Sequence, residues 1–150
     1  MIQLFTELQE KKNVRSNLSA LRASLKEATE EQKAQAIEFV RGHEDLVFGF
    51  LQEEDAKTRK NAALLLGDLA VQNALQPLWK AYTREQTLFI KSAYLEAMKA
   101  LHAEEILSQL KDRLAELEGE PVTEENRKHW EAELRALRAI LIQYEGCLLY

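Results

Sequence analysis

A chain of 150 residues with 46% hydrophobic and 30% charged residues has the balance of an ordinary globular protein, and we expect one domain over residues 1–150. Five glycines and two prolines leave little room for long loops. The net charge of −5, with the signs interspersed, argues against bulk attraction to nucleic acid or to an anionic membrane. The single cysteine, Cys147, excludes an intrachain disulfide and a cysteine-based zinc cluster.

No export or membrane signal is predicted. The amino terminus lacks a basic segment followed by an apolar run, and the longest apolar stretch, residues 62–67, is far too short to span a bilayer. We therefore expect a cytoplasmic protein without a membrane partner.

Apolar residues recur at spacings of three and four along almost the whole chain, and strict alternation is sustained nowhere. This periodicity, together with the abundance of good helix formers, predicts an all-α protein. After a short helix or turn near residues 2–8, eight helices are predicted near residues 13–28, 30–42, 46–51, 55–70, 74–82, 85–101, 104–117 and 124–144.

Several helix starts carry a recognisable cap. Thr29 with Gln32, and Thr83 with Gln86, are capping-box pairs, in which the hydroxyl accepts from a free backbone N–H while the amide reaches back. Thr123 is predicted to cap the last helix. The acidic pairs at 30–31, 53–54, 104–105 and 124–125 also stand at predicted helix starts, where they complement the helix dipole. That structural role accounts for them better than a catalytic one.

The sequence repeats itself at a spacing of about 32 residues. Arg59 aligns with Lys91 at that spacing, and with Arg127 after a further 36 residues. Apolar residues align in the same copies: Ala62, Tyr94 and Trp130; Leu66, Met98 and Leu134; Leu69, Leu101 and Leu137. A two-helix unit cannot bury its apolar faces alone, so repeated units are expected to stack and cover one another. The basic residue opening each second helix is predicted to bond to a carboxylate or carbonyl in the turn before it.

Residues 53–82, EEDAKTRKNAALLLGDLAVQNALQPLWKAY, resemble the HEAT repeat. Asp55 stands in the turn, Arg59 opens the second helix, and Pro77 lies in the first turn of the next helix pair, as it often does in that family. The likeness covers residues 46–101 well and 104–144 loosely. It implies a right-handed α-α superhelix, with structural register roles for Asp55, Arg59, Lys91 and Arg127. It says little about function, because HEAT repeats serve many unrelated roles.

Residues 55–69, together with residues 86–95 (QTLFIKSAYL), also resemble the helical amino-terminal region of some bacterial proteins assigned as RNA methyltransferases. In those proteins a catalytic domain follows. This chain has neither a glycine-rich cofactor turn nor an Asn/Asp-Pro-Pro motif. The resemblance therefore implies the accessory module of a larger RNA-modifying protein, and no methyl transfer by the chain itself.

The sequence offers no reactive constellation. It lacks the GxGxxG and GxxxxGK[ST] loops that bind nucleotides, and His43, His102 and His129 each lack a second His or Cys at metal-binding spacing. We therefore predict no enzyme activity, no metal and no cofactor. Trp79 and Trp130 fall at apolar positions of the repeat and are expected to pack in the core.

A partner is expected on the free side of the second helices, the concave wall of a solenoid. Positions 57, 61, 64 and 68 share one side of a helix, and the next copies add 89, 93, 96 and 100, then 125, 129, 132 and 136. With the flanking residues, we define the candidate face as Lys57, Lys60, Asn61, Leu64, Phe89, Ser92, Glu96, Lys128 and His129. Its basic rim, apolar middle and single acid suit a protein or peptide segment, so a non-catalytic interaction or scaffold module is the leading prediction. The competing interpretation is a solvated face without a partner.

Two further functions are weighed. RNA binding through a local basic face would use Lys57, Arg59, Lys60, Lys91, Arg127 and Lys128. A HEAT-like DNA glycosylase is the third hypothesis, and the acidic charge and short chain argue against it. The sequence does not specify the partner, the oligomeric state, or whether the apolar segment Cys147–Tyr150 caps the last helix pair, contacts a second copy or leads into another domain.

Overall fold

The structure is a computed structural model that describes residues 2–145, apart from the side chain of residue 145. Within this range the regular elements are all helical, which confirms the all-α prediction. The α-helices are α1 (Ile2–Gln9), α2 (Val14–Leu25), α3 (Glu30–Gly42), α4 (Glu44–Phe50), α5 (Ala56–Asp68), α6 (Leu75–Arg84), α7 (Leu88–Lys99), α8 (Leu107–Gly119) and α9 (Arg127–Glu145). Short 3-10 turns, Gln72–Ala74 and Glu104–Ile106, lead into α6 and α8. The segment 147–150 lies outside the described residues.

Two of the predicted caps are present. Thr29 Oγ1 accepts from the Gln32 N–H at 3.1 Å, and Gln32 Oε1 accepts from the Thr29 N–H at 3.0 Å, which confirms the capping box of α3. Thr123 Oγ1 accepts from the Asn126 N–H at 3.2 Å, and Asn126 Oδ1 returns the bond to the Thr123 N–H at 2.8 Å. The last helix is therefore capped by Thr123 as predicted, with an asparagine closing the pair.

The predicted capping box at Thr83 and Gln86 is wrong. Thr83 lies inside α6, and its hydroxyl donates to the Lys80 carbonyl at 2.9 Å. The residue that precedes α7 is Thr87, and its N–H donates to the Glu85 carboxylate at 3.1 Å. A Thr-x-x-Gln pattern is short enough to occur inside a helix, and here the helical periodicity of α6 continues through it.

Helices α2, α5, α7 and α9 pack against one another in that order. Arg15, near the start of α2, lies 3.6 Å from Asp55 at the start of α5, and Arg22 near the end of α2 pairs with Asp68 at the end of α5 at 2.8 Å. Contacts between like ends mean that α2 and α5 run in the same direction.

The same relation holds between α7 and α9. Lys91 near the start of α7 lies 3.9 Å from Glu133 in the first half of α9. Past the other end of α7, the Tyr144 hydroxyl donates to the Leu101 carbonyl at 3.3 Å. Neighbouring helices of this layer thus run parallel.

Helices α4, α6 and α8 pack against α5, α7 and α9 respectively. The Trp130 indole N–H donates to the Leu117 carbonyl at 2.7 Å, so the end of α8 meets the start of α9 and this pair is antiparallel. Past the carboxyl end of α7, the Gln72 side chain exchanges two hydrogen bonds, 2.8 and 2.9 Å long, with the backbone of His102. These bonds join the 3-10 turn that leads into α6 to the connection between α7 and the second 3-10 turn.

The apolar positions of the repeat form the core between the helices. Nearly all of the aligned residues are buried, namely Ala62, Leu66, Leu69, Tyr94, Met98, Leu101, Leu134 and Leu137. Trp79 and Trp130 are partly buried and pack against this core. In the described range 2–145, no helix combines the length and apolarity that crossing a bilayer requires.

Candidate functional site

The candidate face lies along α5 and α7 and at the start of α9, and none of its nine side chains is buried. Four are exposed, namely Lys57, Phe89, Glu96 and Lys128, and five are half-buried, namely Lys60, Asn61, Leu64, Ser92 and His129. Because α5, α7 and α9 are neighbours in one parallel layer, the three groups of residues occupy adjacent helices.

The polar side chains of the candidate face take no part in the hydrogen bonding of the described residues. Within the described part of the chain, none of its lysine, glutamate, asparagine, serine or histidine side chains makes a hydrogen bond or ion pair. None of these side chains is buried, so their polar groups are accessible to solvent.

The predicted stripe has limits that the sequence did not show. Ala93, which shares its side of α7 with Phe89 and Glu96, is 4% exposed and belongs to the interior. Asp68, at the end of the α5 stripe, pairs with Arg22 of α2. The face therefore does not include Ala93 or Asp68.

An exposed apolar residue beside Phe89 was missed. Leu88 and Phe89, the first two residues of α7, are each 48% exposed, although leucine and phenylalanine are usually buried. The signal was present in the sequence, because the core positions of α7 begin at Ile90 and Leu88 stands outside their spacing.

Leu88 also links the α7 and α9 parts of the surface. It lines a small cleft of about 80 Å³ together with His129 and Trp130 of α9 and Leu117 of α8. His129 therefore faces the junction of three helices, and the apolar patch at the start of α7 continues towards it.

Asp55 and Arg59 have structural contacts at the start of α5. Asp55 Oδ2 accepts from the Thr58 N–H at 3.0 Å and from the Thr58 hydroxyl at 2.7 Å, which caps the helix. The Thr58 hydroxyl bond holds the pKa of Asp55 below its ordinary value. Arg59 Nη1 donates to the carbonyls of Glu53 and Glu54, at 2.7 and 2.8 Å, in the turn before the helix.

The other side of the Arg59 guanidinium binds Glu85, in the connection before α7. Nε and Nη2 of Arg59 donate to the two carboxylate oxygens at 2.9 and 2.8 Å, and the Tyr94 hydroxyl donates to Oε1 at 2.6 Å. Burial raises the pKa of Glu85, but the bonds from Arg59, Tyr94 and the Thr87 N–H outweigh burial and lower the pKa to about 2. Arg59 thus ties the turn before α5 to the turn before α7.

Lys91 and Arg127 do not repeat the contacts of Arg59. Lys91 is the fourth residue of α7, and Arg59 is the fourth residue of α5. The ammonium of Lys91, however, lies 5.1 Å from the centre of the Tyr82 ring and 3.9 Å from Glu133. It therefore contacts α6 and α9 rather than the preceding turn. Arg127 is exposed and has no side-chain partner among residues 2–145. The expected register contact is made by Arg59 and by neither of its two counterparts.

A second buried carboxylate, Glu133, lies between α6, α8 and α9. It is 5% exposed and accepts from the Tyr82 hydroxyl. Arg113 also donates to it, through Nε at 2.8 Å and through Nη2 at 3.2 Å. Burial and the adjacent carboxylate raise the pKa of Tyr82 above its ordinary value, so the phenol keeps its proton and acts as a donor.

Glu85 and Glu133 are each held by an arginine and a tyrosine. A general base needs a pKa near the operating pH, whereas Glu85, with a pKa of about 2, holds a proton too weakly at neutral pH. Both oxygens of Glu133 are already occupied by Arg113 and Tyr82. In the described range, no group of three or more His, Cys, Asp or Glu side chains is placed to hold a metal ion.

We compared the chain with protein-family models, with curated proteins and with solved structures. No family model, no curated protein and no solved structure matches it.

Proposed function

We propose that this chain is a short α-solenoid of HEAT-like helix pairs that acts without catalysis, as an interaction module for a protein or peptide partner. The packing order supports the solenoid. The helices α2, α5, α7 and α9 form a row of neighbours, and α4, α6 and α8 each cover the next helix of that row. Each pair contributes apolar cover to the next, which is how repeat proteins build a core.

One observation carries the proposed binding role: exposed apolar side chains lie among polar side chains that have no partner. Leu88 and Phe89 offer about half of their surface to solvent at the start of α7. The polar groups of the candidate face around them make no hydrogen bond or ion pair within residues 2–145. A surface with apolar anchors and unpaired polar groups is suited to a protein partner, since protein interfaces combine an apolar centre with a polar rim.

The charges of the candidate face favour a polypeptide over a phosphate backbone. It carries three lysines and one glutamate, Glu96, and an exposed apolar residue, Phe89, on the middle one of its three helices. RNA binding was expected to use six basic residues, but Arg59 is bound to Glu85 and Lys91 to Glu133. The remaining four basic residues do not provide the row of phosphate contacts on which affinity for nucleic acid depends.

The sequence resemblance supports a place for this module in a larger system. We propose that it serves as the accessory part of an RNA-modifying protein and contacts a protein component of that system. This part of the proposal rests on the likeness of residues 55–69 and 86–95 to the helical regions of such proteins.

The proposal is tested by replacing the apolar pair and comparing retained partners. A tagged chain, Leu88→Ala/Phe89→Ala, is used in quantitative affinity purification beside the unaltered chain and Ile142→Ala. Ile142 is a matched control because it is an exposed apolar residue, 41% exposed, near the end of α9. We expect the double variant to lose proteins that the other two retain.

Equal retention by all three chains would place the interface elsewhere. Enrichment of RNA alone, lost on raising the salt concentration and independent of Phe89, would support the nucleic-acid alternative instead. Thermal melting of each variant shows whether any loss comes from unfolding.

A further inference from the structure

A groove separate from the candidate face lies between α3 and the carboxyl end of α5. It consists of two adjoining clefts of about 470 and 400 Å³, which share Ile37, Leu69 and Ala70. We call it the α3 groove. The first cleft continues to α2 at Arg22 and Lys26, and the second to Arg41.

The groove lies on a side of α3 that its packing against α4 and α1 leaves open. Helix α3 packs against α4, buries Ala36 and Val40, and stacks Phe39 on Phe5 of α1 with ring centres 4.5 Å apart. Lys33, Ile37 and Arg41 follow one another at intervals of four residues, so they share a neighbouring side of the helix. All three line the groove.

The lining of the groove is apolar at its base and basic at its rim. Leu25, Ile37 and Leu69 supply the apolar side chains. The groove is lined by two carboxylates, Asp68 and Glu44, and by four cationic residues, namely Arg22, Lys26, Lys33 and Arg41. The groove is therefore locally basic on a chain whose net charge is −5.

Both carboxylates of the groove already have partners, and two of the cations do not. Asp68 pairs with Arg22 at 2.8 Å, and Glu44 accepts from the Asn73 amide at 3.2 Å. Within the described residues, Lys26 and Arg41 make no ion pair and are exposed. The unpaired charge of the rim is thus positive.

We propose that the α3 groove binds an acidic helical segment of a partner protein. One face of that helix carries apolar side chains with carboxylates between them. The apolar residues would fill the base formed by Leu25, Ile37 and Leu69, as in helix-in-groove recognition. The carboxylates would meet Lys26 and Arg41, and this complementarity would select acidic partners. Nucleic acid fits less well, because the base is apolar and two carboxylates line the groove. The inference is independent of the candidate face.

The test is direct binding of a designed peptide, followed by fluorescence anisotropy. The probe is a short labelled peptide with leucine at every third or fourth position and glutamate or aspartate elsewhere. We expect it to bind the unaltered chain, and a version with lysine in place of the acids not to bind. Lys26→Glu and Arg41→Glu should each weaken binding about tenfold, since each change replaces an attraction at the rim by a repulsion.

Three controls make the outcome decisive. Arg135→Glu introduces the same change of charge at an exposed position of α9, away from the groove, and should bind the probe like the unaltered chain. Leu88→Ala/Phe89→Ala should also bind it normally, because the candidate face is not involved. A probe with serine in place of leucine should lose affinity, because the apolar base would then be unused.

The inference is overturned if the acidic probe does not bind, if Arg135→Glu weakens binding as much as Arg41→Glu, or if the serine probe binds equally well. Loss of binding in the Leu88→Ala/Phe89→Ala chain would assign the peptide to the candidate face and also overturn the α3 groove as its site. Because the Leu88 and Phe89 affinity purification addresses only the candidate face, either proposal can fail without the other.

Discussion

Gly67 of α5 lies so close to α7 that a Cβ built on it would stand 2.7 Å from the Cα of Ala97. This distance is shorter than side chains tolerate, and the atom it meets belongs to the backbone. The glycine therefore sets how closely two helices of the parallel layer approach.

Gly67→Ala is expected to destabilise the protein by about 1–3 kcal/mol, because the added methyl group forces α5 and α7 apart. The matched control is Gly49→Ala in α4, where the added Cβ has nothing within 4 Å. That change should raise the unfolding free energy by roughly 0.5–1 kcal/mol, the usual advantage of alanine over glycine in a helix. Urea denaturation measures both. Changes of opposite sign in the free energy of unfolding support the close approach of the two helices. Stabilisation of both variants would contradict it.

The end of α5 is expected to become more stable when Ala70 is replaced by glycine. Ala70 follows α5 and has a φ of 50°, which is a left-handed conformation. The N–H of the next residue, Val71, donates to the Leu66 carbonyl, a bond typical of helix ends. The left-handed conformation costs a residue with a Cβ about 1 kcal/mol, which Ala70→Gly should recover. Ala34→Gly, at an exposed position inside α3, should lower stability by roughly 0.5–1 kcal/mol. If both glycines destabilise the chain in thermal melts, the left-handed assignment of Ala70 is wrong.

The ion pair of Arg59 and Glu85 predicts a dependence of stability on pH. The pKa of Glu85 is about 2, below the 4.5 of an unperturbed glutamate, so the folded state binds the proton more weakly than the unfolded chain. The stabilisation is therefore complete above pH 4.5 and is lost as the pH falls towards 2.

The comparison is between the unaltered chain and Glu85→Gln, each denatured with urea between about pH 7 and about pH 3. We expect the unaltered chain to be the more stable at neutral pH and its advantage to shrink steadily in acid. An advantage that stays constant across this range would show that Glu85 is not the titrating group.

Arg113 and Glu133 are expected to show strong energetic coupling. Arg113→Met removes the main partner of a carboxylate that is 5% exposed, and we expect a loss of about 3 kcal/mol because Tyr82 and Lys91 remain as weaker partners. Glu133→Leu should cost less, since Arg113 keeps Glu116 and Glu120 within 3.3 Å. The double variant should recover much of the loss, because apolar groups can replace a buried ion pair at little cost. Additive losses in the double-mutant cycle would argue against a shared cluster.

Local patterns predicted the helices well, for physical reasons visible in single residues. The side chain of Thr29 bonds to a group three residues away, so the sequence of one turn suffices to predict its capping box. The same reasoning failed at Thr83, because a Thr-x-x-Gln pattern does not reveal whether the preceding helix continues through it. The candidate face was predicted as a set of positions on helix surfaces, and Leu88 was missed because it lay outside the sampled stripe.

Contacts between helices were beyond such reasoning. Arg59, Lys91 and Arg127 align in the sequence, but Arg59 binds Glu85 and two carbonyls, Lys91 lies beside Tyr82 and Glu133, and Arg127 is exposed. What a basic residue binds depends on which side chains the neighbouring helices bring within reach. That arrangement is different at each of the three positions.

The sequence by itself determined the helical class, most helix ends and which faces are apolar, because these depend on residues within a few turns of one another. Only the tertiary structure decided that Glu85 and Glu133 are buried and paired, that Gly67 admits close packing, and that Lys33, Ile37 and Arg41 border a groove. These features join residues from helices far apart in the chain. Their free energies depend on distances and directions that no local periodicity encodes.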